Sequence, residues 1–436
     1  MKRLIVAALL CASPFTAAAA DYSVVHAGRL LAAPGGAVTQ NQTIVIKDGR
    51  IERVADGFVA ADAVGASADD NVALHDLSDM FVMPGLIDGH VHITSENNPR
   101  ARLQRVEMSE ADQAMMGAGF AKKSLMAGFT TVRDVGAGSS DAIFALRDGI
   151  ARGDVVGPRI FASGATISVT GGHGDGTQGY SDDIAVILHS KGVCDGAPEC
   201  RKAVREQVRR GADHIKLTAT AGVLSNTAAG LEQQFFTDEL QAIMDSAHAM
   251  GRKVTAHAHG VNGINAALRA GVDSIEHGTY LDNESIRLFK RNNAYLVPTI
   301  LAGVTVAEWA ADPNSFLLPP QRAKAAEVGP KMLDMARRAH AGGVRIAFGT
   351  DTGVSKHGEN AREFALLVEA GMTPMEAIRS ATIAGADNLG QSDVLGSIAP
   401  GKYGDLVAVK GDPLTDITEL EDIDFVMKEG VVYKQQ

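Results

Sequence analysis

The sequence predicts an α/β fold, a (β/α)8 TIM barrel carrying a small β lobe built from both ends of the chain. Three observations predict it. Short apolar β runs alternate with helix-sized stretches through the middle of the chain, polar residues break the apolar pattern at the ends of those runs, and both termini read as short strands with turn signals. At 436 residues the chain is too long for one ordinary small domain and fits a large barrel with an added lobe.

Residues 1–20 read as a secretion signal. Met1-Lys2-Arg3 is the positive start, Leu4 to Cys11 the apolar run and residues 16–20 the small-residue cleavage region before Asp21. The apolar run is too short to span a bilayer, and Leu10 stands where a lipoprotein signal has a small residue before its cysteine. The mature chain is therefore expected to be secreted, most simply into a periplasm, and to have no membrane association after signal removal. A net charge of −11 argues against nucleic acid and anionic membrane surfaces as partners. In an oxidising compartment Cys194 and Cys200, framing a short segment with Gly196 and Pro198, are expected to close a local disulfide rather than bind metal.

After the signal, residues 22–25, 43–47 and 51–54 are β-type runs, and Asp48-Gly49 between two of them is a hairpin signal. The far end repeats the pattern at 405–409, 425–427 and 431–433, with Glu429-Gly430 as the turn. Neither set holds a core alone, so the two are expected to pack as one lobe. Between them, the run ending in Asp88-Gly89-His90-Val91-His92 opens a β then α rhythm. It continues at 130–135, 159–164, 212–218, 253–259, 274–277, 295–299 and 345–351, with helix-sized stretches such as 237–250 and 361–370 between. That order is expected of a parallel sheet closed into a barrel. Residues 170–176 and 220–236 read as long βα loops, which rim the active site of such a barrel.

Side chains alternate along a strand, so His90 and His92 face the same way. Taken alone they are two histidines satisfied within a strand or a ready pair of ligands. Lys216, His257, His259, His277 and Asp351 recur at the corresponding ends of later strands, which brings them all to one mouth of the barrel. Imidazole and carboxylate donors of that number suffice for one or two ions such as zinc. Lys216 cannot ligate as an ammonium. Burial beside cations lowers its pKa, and the neutral amine adds carbon dioxide to become a bridging carbamate; the competing reading is a lysine that snorkels or pairs with an acid.

These residues resemble the metal-dependent amidohydrolase superfamily, in its imidazolonepropionase-like branch of secreted dipeptidases and ochratoxin-degrading amidohydrolases. The matching motifs are PGLIDGHVH (84–92), GADHIKL (211–217), TAHAHG (255–260), SIEHG (274–278), FGTDTG (348–353), HGENAREF (357–364) and GSIAPGKYGDLVAV (396–409). The resemblance covers essentially the whole mature chain. It implies a barrel over residues 84–394 with a composite β-sandwich built from 21–83 and 395–436. It also implies a homo-oligomer and two divalent ions, with zinc as the expected metal. His90, His92 and Asp351 would hold the more buried ion and His257 and His277 the other, with N6-carboxylated Lys216 as the bridge. His257 is preferred to His259 only because the family's ligand is the first histidine of its motif; the two face the same side of a strand. A related deaminase carries a glutamate soon after that histidine, and this stretch has none.

In the family the aspartate after the last strand lies beside the metal-activated water, so Asp351 is the expected general base and then acid. Candidate substrate contacts are His173, Tyr180, His259 and His357. By resemblance the substrate is the small-molecule amide of a C-terminal amino acid, as in dipeptides, N-acyl amino acids and ochratoxin A. The alternatives are hydrolysis of a cyclic amide such as an imidazolone or hydantoin, and a non-catalytic metal-containing periplasmic binding protein.

Overall fold

The computed structural model describes residues 19–226 and 230–436. The expected secretion signal lies outside the described residues except for its last two positions.

The chain opens with β1 (Asp21–Leu30), β2 (Thr39–Lys47) and β3 (Arg50–Asp56), then a long strand, β4 (Asn71–Pro84). Asp48 and Gly49 turn β2 into β3 with φ of 48° and 77°, the two left-handed positions that a two-residue hairpin turn demands. One residue past β4 the chain enters β5 (Leu86–Val91), followed by β6 (Phe129–Asp134), β7 (Arg159–Ala162), β8 (Ile215–Thr218), β9 (Val254–Ala258), β10 (Ser274–His277), β11 (Tyr295–Val297) and β12 (Arg345–Ile346). Helices separate these strands, and every pairing among them is parallel: β5-β6-β7 form one sheet and β8 to β12, in sequence order, another. Isolated parallel bridges pair Val91 of β5 with Thr352, beyond β12, and Leu217 of β8 with Ile167, beyond β7. This is a TIM-barrel type α/β arrangement whose strands are largely buried, as parallel strands covered by helices are.

The chain then returns through β13 (Leu406–Val409), β14 (Phe425–Lys428) and β15 (Val431–Gln435). Both chain ends build one lobe, in which a Cβ on Gly49 of the β2–β3 turn would lie 3.2 Å from the Glu429 carbonyl of the β14–β15 turn, and their seven strands are hydrogen-bonded in one continuous order, β15-β14-β13-β4-β1-β2-β3. The cause is β4. Its 14 residues are long enough to run parallel to β1 and also to take β13 antiparallel, at Phe81 to Pro84. Both chain ends thereby share one core of Val25, Ile44, Val82, Leu406 and Phe425. Since β4 continues almost directly into β5, the same strand anchors the first barrel strand.

Cys194 and Cys200 are bridged across a Cα separation of 5.0 Å, just ahead of and within the helix Ala197–Arg209. No helix among the described residues is long and apolar enough to cross a membrane.

Candidate active site

The strand ends deliver His90, His92, Lys216, His257, His259, His277 and Asp351 to one cavity of about 760 Å³, with His173 on its wall. Regular alternation accounts for only part of this. His277 directly follows Glu276, so in an ideal strand the two would face opposite ways. Left-handed backbone at His277 (φ 71°), Thr299 (φ 50°) and Asp351 (φ 59°) re-aims the chain at three neighbouring strand ends. Close approach helps as well. A Cβ on Gly349 would lie 2.3 Å from Val297 and 3.0 Å from His90, so glycine lets the segment carrying Asp351 come up against β5.

Four imidazoles are locked in one tautomer. His90 Nδ1 donates to Glu276 Oε2 at 2.6 Å and His92 Nδ1 to the Gly136 carbonyl at 2.6 Å. Thr299 spends its hydroxyl hydrogen on Pro298 O (2.8 Å) and therefore accepts from His277 Nδ1 (2.7 Å). Thr279 donates to the Met332 sulfur (2.9 Å) and accepts from His259 Nδ1 (2.8 Å). With Nδ1 protonated, each Nε2 keeps its lone pair. His90 Nε2 and Asp351 Oδ1 are 3.4 Å apart, His92 Nε2 is 3.3 Å from the same oxygen, and the first two atoms are buried with no hydrogen-bond partner. Buried polar atoms are rarely left so. A donor set of imidazoles and a carboxylate with orphaned buried atoms fits a divalent cation.

Among the described residues two groups could hold an ion: His90, His277 and Asp351, and His257, His259 and His277, with the ligand atoms of each group within 4.8 Å of one another. His259, which the family motif set aside in favour of His257, thus stands among the ligand-grade imidazoles, its ring stacked on His277 at 4.8 Å. Lys216 is buried (3% exposed), and that burial pulls its ammonium down to about 8 against the opposing pull of Glu276 and Asp351. Burial would raise the Asp351 carboxyl, but His90 and His92 hold it well below the usual range.

Two candidates from the sequence stand elsewhere. Tyr180 is not on the cavity wall; its hydroxyl donates to Arg102 O (2.9 Å) and its ring lies under the Arg102 guanidinium. His357 also misses the cavity, because the chain after Asp351 folds back on the loop after β5. His357 Nε2 bonds Ser95 O at 2.9 Å and the ring stacks on Phe120. His173 is on the wall, its Nδ1 bonded to Ser225 Oγ at 2.7 Å and its ring 4.2 Å from His257. Gly222 makes room for it, since a Cβ there would lie 2.2 Å from the imidazole.

The sequence reading passed over the polar layer beneath the site. Glu276 is fully buried and accepts from His90, Arg133 Nη2 (2.8 Å), Ser274 Oγ (2.9 Å) and Thr255 Oγ1. Burial would raise its carboxyl, but Arg133 and His90 hold it low. Arg133 in turn donates to Gly89 O at 2.6 Å. Asp88 ties the two halves of the first ligand set together, accepting from His90 N (3.0 Å) and Thr350 Oγ1 (2.6 Å). The signal available in the sequence was a charged residue inside each of the apolar runs 130–135 and 274–277.

The buried histidines make the metal-free protein acid-sensitive. Burial first, then neighbouring positive groups, depresses His173 to about 3 and His257 and His277 well below 6.5; His259, depressed to about 3, is lowered by burial and by Lys324 and Lys216 against Asp351. His92, raised by Asp351 contact against its own burial, opposes them. An unfolded chain protonates these rings near 6.5 while the folded chain resists, so stability is full above about 6.5 and falls as pH drops toward about 3. Thermal melts of metal-free protein between pH 7.5 and about 4.5 are expected to show a falling Tm as the pH is lowered. A flat profile would mean that the rings are not held neutral.

The amidohydrolase family model matches residues 81–433, most of the chain. Ochratoxinase of Aspergillus niger is 32% identical over 437 residues, covering 95% of this chain and 87% of that protein. The structure of a Xaa-Pro dipeptidase with bound methionine in its active site is 42% identical, with a TM-score of 0.88 over 95% of this chain and 100% of the other. A prolidase complexed with N-methylphosphonate-L-proline is 32% identical at a TM-score of 0.85, over 95% of this chain and 100% of that one. The chain belongs to the amidohydrolase family and is a hydrolase that acts on the C–N bond of amides.

Proposed function

We propose that the protein is a binuclear metal hydrolase that releases a C-terminal amino acid from dipeptides and N-acyl amino acids, with ochratoxin A-type amides in its range. The observation that carries this is the pair of orphaned buried atoms, His90 Nε2 and Asp351 Oδ1, beside the tautomer-locked His259 and His277 of the second histidine group. Support for the substrate class comes from the relatives: one binds methionine, one an N-phosphonyl proline, and one is an ochratoxinase.

In this reading His90, His92 and Asp351 would hold one ion and His257 and His277 the other, with N6-carboxylated Lys216 as the ligand they would share and zinc as the metal. Ions bound there would supply Lewis acidity toward the scissile carbonyl and lower the pKa of water. Asp351 accepts a proton from the attacking water at a carboxylate oxygen and delivers it to the departing amine nitrogen. Glu276 and Thr299 keep His90 and His277 turned toward the cavity. His173, held neutral, meets the substrate's carbonyl or carboxylate. The two parallel sheets close into one eight-stranded barrel over 84–394, the terminal strands of 21–83 and 395–436 form the added lobe, and residues 1–20 direct export to a periplasm. The mature chain works as a homo-oligomer on a small molecule, without nucleic acid or membrane.

A metal assay followed by a screen of dipeptides, N-acyl amino acids and ochratoxin A tests the proposal. Two ions per chain and free amino acid in the product are expected. A second reading has one observation behind it: imidazolonepropionase of Deinococcus deserti is 26% identical over 382 residues, 84% of this chain and 86% of that protein. Opening of an imidazolone or hydantoin without cleavage of any linear amide would replace the first reading with that one. Metal binding without turnover of either class would leave a binding protein.

A further inference from the structure

The cavity mouth is charged in a way the chemistry at the strand ends does not use. Its wall carries acids and bases in similar number, but the acids are already engaged. Glu96 accepts from His357 N (3.0 Å), Glu110 from Ser139 Oγ (2.6 Å) and Asp175 from Gly171 N and the Thr177 hydroxyl (2.8 Å each), while Asp141 is paired with Arg210. Arg102 and Arg105 have no carboxylate partner among the described residues. They lie three positions apart on the helix Ala101–Glu107, hence on one face of it, and both line the cavity.

Both are also held in place. Arg102 donates to Gly179 O at 3.2 Å and sits 4.5 Å above the Tyr180 ring, whose own hydroxyl returns to the Arg102 carbonyl. Arg105 Nη1 lies 3.4 Å from Gly176 O. Each guanidinium thus rests on the glycine-rich loop that carries His173, giving a minority of its five N–H donors to the backbone and keeping the rest. Lys191, whose charge also acts on Glu206, adds a third cation to the same wall. Arg102, Arg105 and Lys191 are thus a local cationic group on a wall of balanced charge, in a chain of net charge −11.

We infer that the acyl half of the substrate lies toward the mouth and that Arg102 and Arg105 select substrates in which that half carries a carboxylate. The inference rests on the amide hydrolysis proposed above and adds the charge of the acyl group to it. A planar guanidinium matches a carboxylate through two parallel hydrogen bonds, and two fixed arginines also raise the local concentration of anionic substrate. Because both side chains are solvent-exposed, the expected preference is modest, about ten-fold in kcat/KM at low ionic strength.

The test compares L-Asp-L-Phe with its neutral isostere L-Asn-L-Phe, both read by release of phenylalanine from the metal-loaded enzyme. Asp-Phe is expected to lead, and the ratio of the two kcat/KM values to fall toward one at high salt and in the double variant R102Q/R105Q. The single variants R102Q and R105Q, read by the same ratio, keep the test open where the double variant fails to fold. A wild-type ratio at or below one overturns the inference, as does a preference that survives both substitutions. Turnover of neither dipeptide nor of any other linear amide overturns the hydrolase reading, and the inference with it.

Discussion

Asp351→Asn is expected to keep the fold and bind metal yet lose about 10²- to 10⁴-fold in turnover, the usual contribution of positioned proton transfer. The amide retains a ligating oxygen and the volume of the carboxyl, so His90 and His92 still face an acceptor 3.3–3.4 Å away. What it cannot do is take a proton from water and return it to the amine. The loss should fall on kcat, with metal content by elemental analysis near that of the parent. Unchanged turnover in a metal-replete Asn variant would remove Asp351 from the proton path.

The second large effect is expected at a residue that touches no substrate. Glu276→Ala removes the acceptor that orients His90 and leaves Arg133, only 3% exposed, as an uncompensated buried cation. Breaking a buried charge pair from one side typically costs about 3–5 kcal/mol. Losing the acceptor behind a metal-binding histidine typically weakens metal affinity by about 10- to 100-fold. Glu276→Gln separates the two effects. It keeps an oxygen for hydrogen bonding but not the charge, so its melting temperature should fall while its metal affinity, measured by competition with a chromophoric chelator, falls less than in the Ala variant. Wild-type metal affinity in Glu276→Ala would show that His90 needs no such support.

Much of this was legible in the amino-acid order. The β then α rhythm, the two-residue turns at Asp48-Gly49 and Glu429-Gly430, and the polar breaks at the strand ends are local properties, because period-two alternation and turn φ angles are set by neighbouring residues. The Cys194–Cys200 bridge is local for the same reason, spanning a sequence separation of 6. The length of β4 was not legible. Its first half is mostly exposed and lacks a continuous apolar run, so nothing local announces a strand long enough for both β1 and β13 to pair with it. Tyr180 and His357 stand off the cavity wall, which the sequence does not show because loop residues carry no periodicity that says which way they point.

By itself, then, the sequence determined the set of metal-grade side chains at one end of a parallel α/β fold, since strand alternation and strand ends are properties of the chain. Tertiary structure decided which nitrogen each imidazole offers, through Thr279, Thr299, Gly136 and Glu276, all brought in from elsewhere in the chain or across a turn. It also decided that His277 joins His257 and His259, because a left-handed φ at a strand end overrides alternation and persists only where the surrounding packing holds it.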